Sequence, residues 1–277
     1  MSEQNSLELI NQLSKENLNQ HCKKEDLELL ILDILGIDRN ILYRKNPTLN
    51  EDQTIILRQY IKRRNLGEPL AYILGNKGFW KLDLSVDKNV LVPRPETELL
   101  VEKILFFYDS KPLKLLDLGT GSGAIGLSLI SERPSWEVYC SDLSFKALNV
   151  AQENKKNKLM NAYLINANWL NAFGKNSFDV IVSNPPYVDQ NDKRLLKDGV
   201  SFEPLEALVS KERGLKDLKH IIMNAKDHLR DEGHLFVEHA PEQSKDVIDI
   251  FNYCSYRSIR QFKDLNGDGR VSFGKIV

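Results

Sequence analysis

The sequence predicts an α/β protein: a Rossmann-like sheet domain, preceded by a small helical domain and a β-hairpin linker. The first 75 residues show helical spacing of apolar residues without strand-like alternation. From residue 113 onward, seven strand-like runs occur among helical stretches, and such alternation is typical of βαβ units with a parallel sheet. A short alternating segment that ends in prolines lies between these parts. We therefore expect a helical domain at residues 1–75, a hairpin linker at 76–95 and a sheet domain at 96–277.

The composition is that of an ordinary globular protein. The chain has 277 residues, of which 42% are hydrophobic and 28% are charged, and its length fits about two domains of ~150 residues. It carries 38 Lys and Arg against 39 Asp and Glu, and residues 1–75 hold 10 of the basic and 11 of the acidic residues. Neither part is basic, which argues against a protein whose affinity depends on neutralising nucleic-acid phosphates. We expect no stable nucleic-acid binding.

Targeting and redox signals favour a cytoplasmic protein. The N-terminus lacks a basic start followed by an apolar run, so no signal peptide is expected. The longest apolar clusters are far shorter than the ~18 residues that a membrane span needs. The cysteines, Cys22, Cys140 and Cys254, form no CxxC pair and no metal-ligand spacing, which is typical of a reducing compartment. We expect no membrane association and no metal.

The helical domain is predicted from two periodic segments. Between residues 26 and 36 the apolar residues recur at i, i+3, i+4, i+7 and i+8, which predicts one face of a helix that ends at Gly36. A second helix is predicted over residues 51–64. Its similarly spaced apolar residues are Ile55, Ile56, Tyr60 and Ile61.

The linker is predicted as a hairpin of two runs. Residues 79–86 (Phe-Trp-Lys-Leu-Asp-Leu-Ser-Val) alternate, and residues 90–92 (Val-Leu-Val) follow after a three-residue turn. Pro93 and Pro95 then prevent further strand pairing and suit a helix that starts at Glu96.

The sheet domain is predicted from its alternating elements. The strand candidates are residues 114–116, 137–141, 162–166, 178–183, 234–238, 256–262 and 270–276. The helical stretches are residues 124–131, 145–157 and 215–229. Glu238 and His239 end the fifth strand, and we interpret them as residues at the rim of the ligand crevice.

A glycine loop follows the first of these strands. Residues 115–126 read Leu-Leu-Asp-Leu-Gly-Thr-Gly-Ser-Gly-Ala-Ile-Gly, a buried strand followed by a glycine loop and a helix start. Glycines let the backbone pass close to a ligand, and a helix N-terminus offers unpaired N–H groups. Asp142 ends the next strand, where a carboxylate can accept both ribose hydroxyls of a nucleoside. Because residues 121–126 also fit GxGxxG, a dinucleotide remains an alternative at this point.

Two features of the loop favour a different nucleoside cofactor. The loop begins with an acidic residue, Asp117, and Gly119 follows only two positions later. The pattern Asp-x-Gly-x-Gly-x-Gly over residues 117–123 resembles motif I of the S-adenosylmethionine-dependent methyltransferases.

Asn-Pro-Pro-Tyr follows the fourth strand directly, at residues 184–187. The carboxyl ends of strands in an open α/β sheet are where ligands bind. The prolines stiffen this loop, so the Asn184 side chain and the Pro185 carbonyl can accept the two protons of a planar –NH₂ group, and Tyr187 offers an aromatic face. An amide nitrogen is a poor nucleophile, and two acceptors aim its lone pair and offset the positive charge that develops on it. Together the two loops indicate a methyltransferase that acts on an amino or amide nitrogen.

Over nearly its whole length the chain resembles the protein-(glutamine-N5) methyltransferases that modify peptide chain release factors. Asn-Pro-Pro-Tyr alone is shared with adenine-N6 DNA and guanine-N2 RNA methyltransferases. Pro-Arg-Pro-Glu-Thr-Glu at 93–98 and Phe-Glu-Pro at 202–204 are much more specific. The segments that carry the resemblance are residues 63–75, 79–80, 91–98, 117–126, 184–187 and 202–208.

The resemblance implies a set of site residues. Those implied to bind S-adenosylmethionine are Gly119, Thr120, Gly121, Ser122, Gly123, Asp142, Trp169 and Asn184. Those implied to act in catalysis are Asn184, Pro185 and Tyr187, and Pro186 joins them in the substrate pocket. Asn168 stands where many relatives carry Asp, which implies weaker but intact cofactor binding.

The implied substrate is the glutamine of the Gly-Gly-Gln tripeptide of class I release factors, which act in translation termination. Two alternatives remain open at this stage. One is an amino-methyltransferase that acts on a nucleic-acid base, against which stands the near-zero charge of both parts of the chain. The other is a catalytically silent module that docks on release factors, against which stand the complete glycine loop and Asn184.

Overall fold

The chain divides into two compact units in a computed structural model. The helical unit comprises residues 1–75 and 196–202, and the sheet unit comprises residues 76–195 and 203–277. The structure describes residues 4–16, 19, 21–196 and 199–276.

The described residues of the helical unit form five α-helices and one short antiparallel strand pair. Helix α2 (Lys24–Leu35) ends at its cap residue Gly36, whose φ of +61° lies in the left-handed region, as the sequence predicts. Helix α4 (Glu51–Asn65) begins with a reciprocal cap, because the Asn50 side chain accepts from the Gln53 N–H and the Gln53 side chain accepts from the Asn50 N–H. The elements are β1 (Gln4–Asn5), α1 (Ser6–Glu16), α2 (Lys24–Leu35), α3 (Arg39–Lys45), β2 (Thr48–Leu49), α4 (Glu51–Asn65) and α5 (Leu70–Leu74).

The buried face of α4 differs from the predicted one. Leu57 and Ile61 are buried, whereas Ile55 and Ile56 are 49% and 39% exposed. The predicted stripe is wrong at these two isoleucines, because the i, i+4 pair 57 and 61 is the one that meets the other helices. The buried residues that form the hydrophobic core of this unit are Leu9, Ile10, Leu13, Cys22, Leu27, Leu30, Ile31, Leu42, Leu49, Leu57, Ile61 and Ile73.

The sheet unit contains a hairpin, a seven-stranded sheet and the helices that flank it. Its first elements are β3 (Asn76–Phe79), β4 (Leu82–Ser85), α6 (Glu98–Phe107), β5 (Lys114–Leu118), α7 (Ala124–Glu132), β6 (Glu137–Asp142) and α8 (Phe145–Asn157). The later elements are β7 (Tyr163–Asn166), β8 (Phe178–Ser183), α9 (Lys216–Ala225), β9 (Leu229–Glu238), α10 (Ser244–Tyr253), β10 (Arg257–Lys263) and β11 (Gly269–Lys275).

The seven strands lie in the order β10-β11-β9-β8-β5-β6-β7. Strands β5 to β9 are parallel, and β11 is antiparallel to both of its neighbours. The chain runs outward from β5 to β7 and then returns to β8 on the other side of β5. This reversal places the ligand crevice at the carboxyl ends of β5 and β8.

Both faces of the sheet are covered by apolar side chains. Neighbouring residues of a strand point to opposite faces, so Leu115 and Val180 enter one core while Leu116 and Ile181 enter the other. Full burial of each such side chain contributes about 1.5–3 kcal/mol. Coverage on both faces explains why these strands read as continuous apolar runs.

The hairpin forms earlier in the chain than predicted. Strands β3 and β4 pair Phe79 with Leu82 across a tight turn at Trp80, whose φ is +54°. Residues 90–92 form no strand. The alternation was recognised correctly, but the turn lies at residues 80–81, where it lets Phe79 and Leu84 enter the core of the sheet unit. Within the described part of the chain, no helix combines the length and the apolar character needed to cross a bilayer.

Candidate active site

Two loops meet where β5 and β8 end side by side. Leu118 pairs with Ser183 at the carboxyl ends of these strands. The glycine loop, residues 119–123, follows one strand, and the Asn-Pro-Pro-Tyr loop, residues 184–187, follows the other. A cavity of about 660 Å³ opens beside both loops. Its lining includes Gly119, Gly121, Asp142, Asn168, Trp169, Asn184, Pro186, Glu206 and Asp217.

The glycine loop lines the cavity with Gly119 and Gly121, whereas Thr120, Ser122 and Gly123, which were also predicted to bind the cofactor, are not among the lining residues. Gly119, Gly121 and Gly123 have φ values of +70°, +56° and +85°, a region that glycine adopts without steric cost. The N–H groups of Gly119 and Thr120 both donate to the Ser141 carbonyl at 2.9 Å, which ties the loop to β6. Helix α7 begins directly after Gly123, so its unpaired N–H groups and positive dipole end lie at the loop.

A buried carboxylate, that of Asp117, holds the glycine loop by hydrogen bonds. Asp117 is wholly buried, and its Oδ2 accepts from Thr120 Oγ1 at 2.6 Å and from the Gly126 N–H at 3.0 Å. Burial raises the pKa of Asp117 to about 6, because desolvation outweighs these two hydrogen bonds. Asp117 therefore holds the loop in shape rather than lining the cavity.

Asp142 turns its carboxylate toward both the loop and the cavity. Its Oδ2 accepts from the Gly121 N–H at 2.9 Å, and its Oδ1 accepts from the Ser144 N–H at 2.8 Å. Desolvation raises the pKa of Asp142 against the opposing effect of these bonds. Each carboxylate oxygen has a further lone pair, so both can still accept a ligand hydroxyl.

Trp169 lies against the glycine loop. A Cβ added at Gly119 would lie 3.5 Å from Trp169 Cζ3, so the indole packs directly on the loop backbone. Trp169 has a φ of +48°, which is uncommon for a bulky residue and typical of positions that the surrounding structure holds for a functional reason. The exposed side chain of Asn168 lines the same cavity.

These features fit a nucleoside cofactor such as S-adenosylmethionine. The glycine backbone permits close approach, the carboxylate can accept a diol, and the indole offers a flat face. Among the described residues, no group of three or more His, Cys, Asp or Glu side chains is arranged to hold a metal ion.

The Asn-Pro-Pro-Tyr loop is held by side chains at its first residue. Ser183 donates from Oγ to the Leu118 carbonyl at 2.8 Å, which joins β8 to β5. Asn184 donates from Nδ2 to Thr97 Oγ1 at 3.0 Å. Thr97 is buried in the 3₁₀ turn Pro95–Thr97. Asn184 Oδ1 accepts no hydrogen bond from any described residue, so this oxygen is available to a ligand.

The last residue of the loop is held in the same way. The Tyr187 hydroxyl donates to Glu238 Oε1 at 3.0 Å, and the Tyr187 carbonyl accepts from Gln243 Nε2 at 2.9 Å. Burial raises the pKa of Tyr187, so the phenol stays neutral. Gly214 passes so close that an added Cβ would lie 2.0 Å from the Tyr187 carbonyl oxygen. The loop is therefore fixed at both ends.

A second, small cavity of about 50 Å³ is also lined by Asn184. Asn184, Leu91 and Ala207 border both cavities. The remaining lining residues are Arg94, Pro185, Tyr187, Val188 and Leu208. The Asn184 side chain thus lies at the junction of a large cavity and a narrow one.

An ion pair between half-buried Arg94 and buried Glu203 lies beside the narrow cavity. Arg94 donates from Nη2 to both carboxylate oxygens of Glu203 at 2.7 Å, and the Glu203 side chain is only 2% exposed. Desolvation raises the pKa of Glu203 even though Arg94 opposes the shift. The pair joins segments 93–98 and 202–208, the two that distinguish the resemblance from other Asn-Pro-Pro-Tyr proteins.

The interpretation of Glu238 and His239 as rim residues was wrong. Both are wholly buried, because β11 pairs alongside the end of β9, with Val271 opposite Glu238. His239 bonds to Ser272 Oγ at 2.8 Å and serves the packing of these strands. Glu238 instead lies behind Tyr187, where sequence reasoning had given it no function.

Sequence reasoning also missed Thr97 and Gln243. Thr97 lies inside the Pro-Arg-Pro-Glu-Thr-Glu segment, but its spacing from residue 184 gives no sign of a contact. Gln243 follows β9 and carries no motif. Both residues contact the Asn-Pro-Pro-Tyr loop because the order of the strands in the sheet brings distant segments together.

Comparison with known proteins identifies the family. The Methyltransferase small domain model matches residues 95–199, and the PrmC N-terminal domain model matches residues 9–75. The release factor glutamine methyltransferase of Buchnera aphidicola subsp. Schizaphis graminum is 40% identical, over 92% of this chain and 94% of its own length. That of Escherichia coli K12 is 37% identical, over 91% and 92%. The chain belongs to the release factor glutamine methyltransferase family.

Solved structures agree on the fold. A methyltransferase from Pyrococcus furiosus matches with a TM-score of 0.54 at 17% identity, covering 82% of this chain and 98% of that one. The family and the seven-stranded methyltransferase fold predicted from the sequence are thereby confirmed. As a member of this family, the chain is an S-adenosylmethionine-dependent methyltransferase.

Proposed function

We propose that this release factor methyltransferase acts on the glutamine of the Gly-Gly-Gln motif of class I release factors, at the side-chain amide nitrogen N5. Membership of the family supports the reaction and the substrate class. One observation carries the assignment of the site: Asn184, whose Oδ1 accepts no hydrogen bond from the described residues, lines both a cavity large enough for a nucleoside cofactor and a narrow cavity.

The large cavity is proposed to hold the cofactor. Backbone groups of the glycine loop, from Gly119 through Thr120, Gly121 and Ser122 to Gly123, would surround its amino acid part. Asp142 would accept the ribose hydroxyls, and Trp169 would pack beside the adenine. The contacts of the Asp142 carboxylate support this assignment, because both of its oxygens are held in place and each has acceptor capacity left.

The narrow cavity is proposed to hold the glutamine amide. Asn184 Oδ1 and the Pro185 carbonyl accept no hydrogen bond from the described residues, so they can accept the two amide hydrogens. Pro186 and Tyr187 would enclose the flat amide. The small volume of this cavity favours an unbranched side chain with a planar end group. It disfavours a nucleobase, which needs a wider cavity.

Within this site the protein's own groups position the nucleophile. S-adenosylmethionine, when bound, supplies a methyl group whose bond to sulfur breaks as the bond to nitrogen forms, and the electron pair remains on sulfur. By accepting the two amide hydrogens, Asn184 Oδ1 and the Pro185 carbonyl would polarise the N–H bonds toward nitrogen and turn the nitrogen lone pair out of conjugation. They also stabilise the positive charge that nitrogen acquires, until one of its protons leaves to solvent.

The proposal is tested by mass spectrometry of a release factor incubated with the enzyme and labelled S-adenosylmethionine. We expect a gain of one methyl group on the Gly-Gly-Gln glutamine. A release factor with that glutamine replaced by glutamate should gain none, and neither should tRNA, rRNA or DNA in parallel reactions. Label found in nucleic acid alone would keep the chemistry but overturn the substrate.

We further propose that the helical unit supplies the wider contact with the protein substrate. The narrow cavity admits only one side chain, so a whole release factor needs further surface. Ile55 and Ile56 on α4 are exposed apolar residues that contribute little to the core of the unit.

Replacing Ile55 and Ile56 together by Ser should raise the KM for whole release factor several-fold. The KM for a short Gly-Gly-Gln peptide should stay unchanged, because the peptide reaches only the narrow cavity. Equal effects on both substrates, or on neither, would contradict a docking role for this face of α4.

A further inference from the structure

The guanidinium of Arg94 carries hydrogen-bond donors that the described residues do not use. Its Nη2 donates to both carboxylate oxygens of Glu203 at 2.7 Å, and this is its whole set of hydrogen bonds within the described chain. Arg63, by comparison, engages Glu68 with two nitrogens, Nε and Nη2. A guanidinium has five N–H groups and no acceptor, so Nη1 and Nε of Arg94 remain available to a ligand.

Arg94 also lines the narrow cavity, together with Asn184, Pro185 and Tyr187. The carboxylate that holds its Nη2 belongs to Glu203, whose side chain is only 2% exposed. The guanidinium is therefore fixed from the protein side at one nitrogen, while the other two nitrogens belong to a residue of the cavity wall.

We propose that Arg94 is a substrate-binding residue: it donates to the side-chain carbonyl oxygen of the glutamine and thereby sets the orientation of the amide. The proposal rests on the proposed function, because it concerns the amide that the narrow cavity would receive.

The argument follows from counting donors and acceptors around the substrate amide. Asn184 Oδ1 and the Pro185 carbonyl would accept its two hydrogens, which leaves its carbonyl oxygen to be paired. An amide oxygen that leaves water for a small cavity is strongly disfavoured unless a donor meets it there. The narrow cavity therefore has to supply a donor as well as two acceptors.

Three of the side chains that line the cavity carry N–H or O–H donors, namely Arg94, Asn184 and Tyr187. The Tyr187 hydroxyl already donates to Glu238 at 3.0 Å. The Asn184 NH₂ group donates to Thr97 at 3.0 Å and lies on the same amide as the oxygen that would face the substrate. Arg94 is thus the lining side chain with donors left over.

Backbone donors in the cavity wall are the competing explanation. The N–H groups of Val188, Ala207 and Leu208 donate to main-chain carbonyls and are not available. Those of Leu91 and Tyr187 are neutral donors, and a charged donor forms the stronger hydrogen bond to a carbonyl oxygen. The guanidinium is therefore favoured, and the experiment below separates the two explanations.

A guanidinium at this place also selects one orientation of the substrate amide. The NH₂ group and the oxygen of an amide are similar in size, so hydrogen bonds have to distinguish them. If the amide were turned around, its NH₂ group would face the N–H groups of Arg94, and its oxygen would face Asn184 Oδ1. Because a guanidinium can only donate, the matched orientation is the one that presents nitrogen to Asn184 and Pro185.

The contact should act on binding more than on the chemical step. As the bond to the methyl group forms, the nitrogen lone pair leaves conjugation and no longer adds density to the carbonyl oxygen. The hydrogen bond from Arg94 therefore does not strengthen in the transition state. An interaction of this kind is expected to lower KM rather than to raise kcat.

The first test compares wild type with Arg94→Met, which keeps an unbranched apolar stem but has no donor. With a short Gly-Gly-Gln peptide as substrate, we expect kcat/KM to fall roughly ten- to a hundredfold, the range for loss of a hydrogen bond to a charged group, with most of the change in KM. The dissociation constant for S-adenosylhomocysteine should stay within about twofold of wild type.

A second peptide, with norleucine in place of the glutamine, separates hydrogen bonding from cavity shape. Norleucine has an unbranched side chain of similar length but no carbonyl oxygen. Calorimetry in the presence of S-adenosylhomocysteine should show that Arg94→Met weakens binding of the glutamine peptide at least about tenfold and binding of the norleucine peptide less than about twofold. Equal weakening of both peptides would mean that Arg94 only shapes the cavity or binds the peptide backbone, and would overturn the proposal.

Arg230→Met is the matched control. Arg230 donates from one nitrogen, Nη1, to both carboxylate oxygens of Asp179 at 3.1 and 3.0 Å, as Arg94 does to Glu203. Its side chain is 41% exposed against 35% for Arg94, but it lines neither cavity. This variant should bind both peptides and S-adenosylhomocysteine as wild type does.

Each remaining outcome has a defined meaning. A wild-type KM in Arg94→Met would overturn the role of Arg94 and assign the donor to a backbone N–H group. If this variant does not fold, Arg94→Lys keeps a cation beside Glu203 but engages its single ammonium group there, so KM for the glutamine peptide should rise several-fold. A wild-type KM in Arg94→Lys would then overturn the proposal. A wild-type enzyme that methylates no release factor would instead overturn the proposed function.

Discussion

The glycine loop and the Asn-Pro-Pro-Tyr loop lie side by side but are built on opposite principles. The glycine loop has few side chains, adopts left-handed backbone angles and leads into the N-terminus of α7. The Asn-Pro-Pro-Tyr loop has a backbone stiffened by two prolines and offers an amide oxygen and an aromatic ring. The glycine loop suits a ligand that only has to be bound. The Asn-Pro-Pro-Tyr loop suits a reacting group whose lone pair has to be oriented.

The two loops also differ in the contacts that hold them in place. Asp117 and Asp142 hold the glycine loop through its backbone N–H groups and the Thr120 hydroxyl. The Asn-Pro-Pro-Tyr loop is held through its side chains, by Thr97 and Glu238. Substitutions at the first loop should therefore change affinity and stability, whereas substitutions at the second should change turnover.

The largest expected effect is that of Asn184→Ala on turnover. Removing a preorganised acceptor from the reacting nitrogen should lower kcat by about 10²–10³-fold, the usual range for loss of one transition-state hydrogen bond. Calorimetry should show S-adenosylhomocysteine affinity within about threefold of wild type. A large loss of S-adenosylhomocysteine affinity with kcat unchanged would contradict the view that the Asn-Pro-Pro-Tyr loop acts mainly on turnover.

The buried Asp117 should make stability depend on pH. Its folded pKa of about 6 exceeds the ordinary 3.8, so the folded state binds more protons between these values. The contribution of Asp117 to the free energy of unfolding should therefore fall by about 2 kcal/mol as the pH rises from 4 to 6. Urea titrations across this pH range measure the contribution as the difference in free energy of unfolding between wild type and Asp117→Asn. A difference that does not change with pH would contradict the prediction.

Gly214→Ala tests whether the Asn-Pro-Pro-Tyr loop has to stay in place. The new Cβ would lie 2.0 Å from the Tyr187 carbonyl oxygen, so the loop must shift. We expect kcat to fall by roughly ten- to a hundredfold, because small misplacements of reacting groups are costly. Gly267→Ala is the matched control: its φ of +85° is equally left-handed, but nothing lies within 4 Å of the added carbon. Equal kcat values in the two variants would contradict the prediction.

Asp142→Asn should affect the first loop alone. The variant keeps the shape of the side chain but replaces one acceptor oxygen by a donor that opposes the Gly121 N–H or the Ser144 N–H. We expect S-adenosylhomocysteine to bind roughly tenfold more weakly, with kcat at saturating cofactor within about threefold of wild type. A variant with intact affinity would remove Asp142 from the cofactor site.

The smallest effect is expected at Asn168. Asn168→Asp would convert a neutral acceptor into a charged one, and charge-assisted hydrogen bonds to an amino group are stronger than neutral ones. Because the side chain is exposed, the cofactor should bind only about two- to fivefold more tightly. Calorimetry with adenosine as a second ligand would show whether any gain arises at the adenosine portion of the cofactor.

The site residues that could be predicted from the sequence are those that lie in short, continuous motifs. The glycine loop and the Asn-Pro-Pro-Tyr loop each occupy a few consecutive residues at a strand end, so their position follows from the strand itself. Thr97, Glu238 and Gln243 come from three other segments, and only the strand order brings them to Tyr187 and Asn184. No local pattern encodes that order.

Two errors of the sequence analysis share another cause. Alternation shows that a segment is a strand but not where its turn lies, so the hairpin was displaced from residues 80–81 to 87–89. Similarly, apolar spacing on α4 shows an amphipathic helix but not which of two overlapping stripes is buried. Burial of Phe79 in one case, and of Leu57 in the other, depends on packing partners far along the chain.

The position of β11 has a consequence for synthesis of the enzyme. This strand follows all the others in sequence, yet it lies inside the sheet between β10 and β9, with Val271 opposite Glu238. A growing chain that has not reached residue 269 leaves the edge of β9 unpaired and exposed to wrong pairing. Both ligand loops are translated long before this point, but the carboxylate behind them has no neighbouring strand until β11 arrives. Catalytic competence would therefore appear late in translation and in a single step.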